Sequence, residues 1–177
     1  MGKSCLNKLT GNITLQCTIP QVGVKNIYLM HAEDVTFAIS STPLRITNVT
    51  FASGARSYLV EGYKQNIQVS GSLKSLDAAA SMDASVTFKI PQGAGTSAID
   101  FVSTIVTGRF RVLVLYHDGN QVILGSTIPL ECSAADFDSN ANAGMVTITL
   151  ASPEGAAGGR MVRPVDTVRD AIISKSV

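Results

Sequence analysis

The sequence predicts a mainly β chain with a long β-hairpin, one flanking α-helix and a C-terminal arm. Three observations lead there. Apolar and polar residues alternate with period two along most of the chain, the pattern of a half-buried strand. Turn residues such as Gly23, Ser53-Gly54 and Asp118-Gly119 punctuate those runs at short intervals. One stretch, Thr96 to Thr107, carries apolar residues at helical spacing.

The elements follow in chain order. Asn12 to Ile19 alternates, with Ile13, Leu15, Cys17 and Ile19 on one face. Val24 to His31 forms a strand after Gly23, and Val35 to Ile39 another after Glu33-Asp34. Leu44 to Phe51 is rich in β-branched residues and stops at Ser53-Gly54; Arg56 to Glu61 is a further short strand. From Lys64 to Ile90 the alternation is longest. Ile67, Val69, Gly71 and Leu73 share one face in its first half. Met82, Ala84, Val86, Phe88 and Ile90 share one in its second. The link from Ser75 to Ala80 makes these two long strands a hairpin. Gly93 to Gly95 is a loop. The helix over 96–107 takes Thr96 as its N-cap, Ile99, Val102, Ile105 and Val106 as its apolar stripe, and Gly108 as its stop. Phe110 to His117 and Gln121 to Gly125 flank Asp118-Gly119, which predicts a two-residue type I′ hairpin. Val112 to Leu115 is apolar on both faces and suits a central strand. Thr127 to Cys132 continues as strand, Ala134 to Gly144 reads as a polar loop, and Met145 to Leu150 is the last core strand. Gly155 to Gly159 is a linker. Pro164 to Lys175 suits a short amphipathic helix through Val165, Val168, Ile172 and Ile173. The domain reading is therefore 1–154 for the β domain and 155–177 for a linker and docking arm.

Composition narrows the function. The 177 residues carry 14 Lys+Arg and 13 Asp+Glu, so 15% are charged where a soluble domain carries about 25%. Net charge +1 gives no electrostatic footprint for nucleic acid, so no sequence-specific nucleic-acid partner is expected. No apolar run is long enough to span a membrane as a helix, and hydrophobic content of 45% argues against disorder. A surface so poor in charge suits protein neighbours better than bulk water. Cys5, Cys17 and Cys132 are odd in number and widely spaced, which fits free thiols in a reducing cytoplasm. The opening Met1 to Leu6 lacks the apolar core of a secretory signal, and Leu6 breaks the myristoylation pattern.

Candidate chemistry is sparse. His31 beside Glu33 and Asp34 invites a metal or acid–base reading, and His117 stands before a turn; both are read as structural. Asp136 and Asp138 begin like a calcium loop that the next residues do not complete. Asp77 and Asp83 flank the hairpin tip, where solvation accounts for them. Gly155 to Gly159 opens no helix after a strand, so it is no phosphate cradle. No strained nucleophile turn is present, and Trp is absent, which weakens a sugar-stacking role. The expectation is a non-enzyme without cofactor or metal.

Three stretches resemble a known group. They are the opening through Cys17, Gly23 and Asn26-Ile-Tyr-Leu-Met30; Phe110-Arg-Val-Leu-Val-Leu-Tyr-His-Asp-Gly-Asn-Gln-Val-Ile-Leu-Gly125; and Gly144-Met-Val-Thr-Ile-Thr-Leu150 followed by Ser152-Pro-Glu154. Over roughly residues 5 to 154 the chain resembles the tail-tube-like and auxiliary virion structural proteins of tailed bacteriophages, those infecting Bacteroidetes in particular. The resemblance implies a β-sandwich or partly rolled barrel, self-association or docking in many copies, and a virion location after assembly in the bacterial cytoplasm. Its implied partners are copies of the chain and other virion proteins, a major capsid or tail protein.

Two departures order the roles. A tube lumen favours acidic residues, whereas the hairpin's polar face offers Lys64, Lys74, Lys89 and Asp83 among neutral residues. The family commonly ends soon after the final strand, whereas this chain continues past residue 154. Both set an auxiliary capsid protein slightly ahead of a major tail tube protein. A β-sandwich module binding a glycan or other ligand is the alternative of another class. The expected assembly residues are Ile67, Val69, Leu73, Met82, Val86 and Phe88 of the hairpin, with Arg160, Arg163, Val168 and Ile172 of the arm.

Overall fold

A computed structural model describes residues 23–62, 66–76, 79–91, 96–137, 145–154 and 160–177. The expected strand 12–19, Cys5, Cys17, Lys64, Asp77, Asp138 and the linker 155–159 lie outside the described residues. Strands hold 60% of the described residues and helices 14%, in two sheets that do not close among those residues, which is a mainly β, sandwich-like architecture.

The elements are β1 (Val24–His31), β2 (Val35–Ser41), β3 (Leu44–Phe51), β4 (Ser57–Glu61), β5 (Ile67–Leu76) and β6 (Ala79–Pro91). Then come α1 (Thr96–Thr107), β7 (Arg109–Tyr116), β8 (Gln121–Leu124), β9 (Leu130–Phe137), β10 (Met145–Ala151), β11 (Arg163–Pro164) and α2 (Asp166–Ser174). The large sheet runs β4-β1-β7-β9-β10-β6-β5, with β8 also paired to β7. Strand β7 divides one edge between two partners: Arg109 and Phe110 face β9, and Val112 to Leu115 face β8. The small sheet runs β11-β3-β2.

Two cores follow from the two faces of the central strands. Ile27 and Leu29 of β1 and Val112 and Val114 of β7 turn into the first core, with Phe88, Val86, Ile148, Leu150 and Ile105. Tyr28 and Met30 of β1 and Leu113 of β7 turn into the second, with Val35, Ile46, Val162, Val168 and Ile172. Successive strand residues point to opposite faces, so a strand covered on both sides must be apolar throughout. That accounts for the unbroken run at Val112 to Leu115. Helix α1 packs Ile105, Phe101 and Val102 on the first core and leaves Val106 exposed. It ends at Gly108, where a Cβ would come within 2.6 Å of the buried Phe110 ring.

Three local expectations change. The Asp118-Gly119 hairpin is not a two-residue turn. Tyr116 N–H donates to Asn120 O (2.9 Å) and Gly119 N–H to Tyr116 O (3.2 Å), so the loop is His117 to Gly119, with Gly119 at φ 82°. The Asp118 carboxylate favours this form, because it accepts from the Asn120 backbone N–H at 2.9 Å. Residues 125–129 bend instead of extending, since Gly125 sits at φ 71° and Pro129 has no N–H to donate. Strand β9 instead continues through Phe137, because Ala134 to Phe137 pair with β10 across Val146 to Thr149. Pairing overrides weak strand propensity there.

The segment expected as an arm awaiting a partner is seated on this chain's own body. Val162 and Ile123 exchange both backbone hydrogen bonds, at 2.8 and 3.2 Å. β11 adds in parallel to β3, and Val165 N–H donates to Ile46 O at 3.0 Å. Val168 and Ile172 of α2 complete the second core, each burial contributing about 1.5–3 kcal/mol.

Candidate assembly surface

The β5–β6 hairpin is paired in continuous register from Ile67↔Phe88 to Leu76↔Ala79. β10 covers β6 only from Ser85 to Pro91. At the boundary Ser152 holds Ala84: its N–H donates to Ala84 O (2.9 Å), and its hydroxyl accepts the Ala84 N–H (3.1 Å). Beyond that point residues 72–76 and 79–83 have no other strand beside them among the described residues, and they project as a two-stranded ribbon. An isolated two-stranded ribbon is marginal in water, so a projecting one calls for a neighbour.

Where β5, β6, β9 and β10 face away from the first core, hydroxyl groups pair with one another and with the backbone. Ser70 and Ser85 share a hydrogen bond of 2.7 Å, and Thr87 and Thr149 one of 3.0 Å. Ser133 donates to Thr149 O at 3.3 Å. Gln68, Ser70 and Ser72 are exposed beside them. The charges at this face include Lys89, Asp83 and the Arg109–Glu131 pair at 3.0 Å. Such a face makes many weak directional contacts and little long-range repulsion between like copies.

The structure covers most of the expected assembly residues within the subunit. Ile67, Val86 and Phe88 are buried in the first core, and Val69 packs against it. Met82 is half-buried; Leu73 is its pairing partner, with its side chain outside the described residues. Val168 and Ile172 are covered within the same subunit, because the second core needs them. Arg160 and Arg163 remain exposed, and Arg163 lies near enough to Asp118 to help hold its carboxyl below the usual range.

Residues with no expected role turn out to organise the seating of the C-terminal segment. Gln121 is buried and donates through Nε2 to Pro164 O (3.3 Å) and Asp166 Oδ1 (2.9 Å). Ser57 is fully buried and donates to Ile172 O at 2.7 Å. The signal available in sequence was a lone polar residue opening an apolar strand, which is too common to interpret.

The histidines are placed differently from each other. His31 packs against Phe110 (centroids 5.0 Å apart) and edge-on to Tyr58 (6.0 Å). It lines a groove of about 340 Å³ with Tyr58, Phe101, Ile105 and Asp100. His117 is exposed in the hairpin loop. Among the described residues no group of three or more His, Cys, Asp or Glu side chains can hold a metal ion. Burial pushes the Cys132 thiol above its ordinary pKa, and the thiol donates to Ala134 O at 3.5 Å. Arg111 stacks on the Phe37 ring at 5.2 Å, where burial lowers its pKa.

Comparison with known proteins found no matching family model, no matching curated protein and no matching solved structure. No helix among the described residues is long and apolar enough to cross a membrane.

Proposed function

We propose that this chain is a non-enzymatic structural subunit of a tailed-phage particle that works in many copies. The observation that carries the reading is the β5–β6 ribbon, which no other strand flanks over residues 72–76 and 79–83 among the described residues, beside a hydroxyl-lined face. Contacts of that kind are individually weak and become strong when symmetry repeats them. The resemblance of residues 5 to 154 to phage tail-tube-like and auxiliary virion proteins supplies the particle. Of its two places, a ring-forming, tube-like subunit now fits better than an auxiliary capsid protein. The auxiliary role leaned on the lack of an acidic face along the hairpin and on a free C-terminal clamp, and the second support falls because residues 160–177 are engaged on their own subunit.

Electron microscopy of the purified chain, alone and mixed with particles, tests the reading. Rings or stacked tubes with an open lumen are expected. A monomer that decorates only preformed heads would restore the auxiliary role. A monomer that joins neither itself nor particles but binds a glycan array would overturn the structural role.

A further inference from the structure

Helix α1 packs against β9, and between it and strands β4, β1 and β7 lies the groove of about 340 Å³ that His31 and Tyr58 share. That size is near the lower end of the about 300–1,000 Å³ of ligand sites, and it suits one side chain better than a large ligand.

The register and the helical repeat set its lining. Leu29 pairs with Tyr58 and His31 with Phe110, so all four share the sheet face that looks into the first core. On α1, Asp100 and Thr104 stand one turn apart, as do Phe101 and Ile105, so one side of the helix faces the groove. Ile105 and Phe110 are buried and floor it, whereas Tyr58 and Asp100 are exposed at its rim.

Two features choose the occupant. The first is the rings. His31 lies 6.0 Å from Tyr58 with the planes 86° apart, and Phe101 lines the helix side. Aromatic faces carry negative quadrupole charge and attract a cation. The second is the polar lining, which accepts more readily than it donates. The Asp100 carboxylate is in no ion pair among the described residues. The Thr104 hydroxyl spends its proton on Asp100 O at 2.9 Å, which leaves its lone pairs. No Lys or Arg lines the groove, and Arg109, next to Phe110 in the chain, is engaged with Glu131 at 3.0 Å. Rings beside a carboxylate suit a guanidinium better than an ammonium. A guanidinium is planar and weakly hydrated, so it stacks on a ring while its fork donates to the carboxylate. Free arginine would also bring an α-carboxylate, for which the lining holds no Lys or Arg. An arginine within a protein chain brings none.

We infer that the groove between α1 and β4 takes the arginine side chain of a partner protein, with its guanidinium against the Asp100 carboxylate and its plane against the rings of Tyr58 and Phe101. The site stands whether or not the chain works in many copies.

NMR titration of the full chain at pH 8, above the usual range of an imidazole, tests it. The probes are end-blocked Gly-Arg-Gly, the same peptide with citrulline or lysine in place of arginine, and free arginine. The arginine peptide should give saturable shifts at Tyr58, Phe101 and Thr104. The citrulline peptide keeps the planar shape without the charge and should bind about tenfold more weakly. Asp100→Asn should weaken the arginine peptide about tenfold and leave the citrulline peptide unchanged. Tyr58→Leu should weaken the arginine peptide several-fold. Both residues are exposed, so neither substitution opens the core. Shifts that do not saturate, equal binding of the arginine and citrulline peptides, or indifference to Asp100→Asn overturns the inference. A lysine peptide that binds as tightly as the arginine peptide overturns the choice of a guanidinium. Free arginine that binds more tightly than the peptide overturns the partner protein as its source.

Discussion

Single residues here divide into those that fill space and those that hold chain. Phe88 fills space. It is fully buried where β6 crosses the first core, so Phe88→Ala should cost about 3–5 kcal/mol in urea unfolding, a large share of a typical domain's 5–15 kcal/mol. Asp118 holds chain. Its carboxylate accepts from the Asn120 backbone N–H and from Asn120 Nδ2 (2.6 Å), and these bonds keep it ionised below the usual carboxylate range. A group whose pKa is lowered by folding supports the fold above its ordinary pKa and loses that support as pH falls through the lowered value. The Asn120 amide resonance should therefore stay unchanged down through the ordinary carboxylate range. It should move only below it, together with faster exchange at Tyr116. Asp118→Asn should abolish that titration. Asp118 and Gly119 are recognisable in sequence as turn formers. The loop length is not, because it depends on which neighbouring amide the carboxylate reaches.

At the level of elements, β8 and the C-terminal segment stabilise each other. Gln121 ties β8 to Pro164 and Asp166, and the Val162–Ile123 pair continues the tie. Gln121→Leu removes two hydrogen bonds and leaves the Pro164 carbonyl without this donor, a loss of about 1–3 kcal/mol. Hydrogen exchange should report it as faster exchange at Val162 and Val165, with the β1 and β10 amides unchanged. Elements of strong local pattern are legible in the sequence alone. The runs at Val24 to His31, Leu44 to Phe51 and Thr96 to Thr107 coincide with β1, β3 and α1. The continuation of β9 through Phe137 is not legible, because Ala134, Ala135 and Asp136 carry no strand signal of their own and extend only because β10 lies beside them.

The whole molecule is two cores sharing one wall, and the C-terminal segment belongs to the second. Removing residues 160–177 takes Val162, Val168 and Ile172 from that core and uncovers Leu113 and Ile123. At about 1.5–3 kcal/mol for each lost side chain, the deficit rivals the stability of a domain. The shortened chain should lose cooperative thermal unfolding, or aggregate, instead of remaining a folded body without an arm. Period-two alternation is enough to establish a mainly β chain, its long hairpin and a central strand apolar on both faces. Each of those features is written in residues close together in the chain. What covers each face is decided by residues far apart. Alternation marks Ile67, Val86 and Phe88 as wanting cover, and helical spacing marks Val168 and Ile172, but neither says whether the cover is this chain or another. Only the tertiary structure shows those side chains spent inside the subunit. Among the described residues it also leaves the hydroxyl face and the ribbon edge of β5 uncovered.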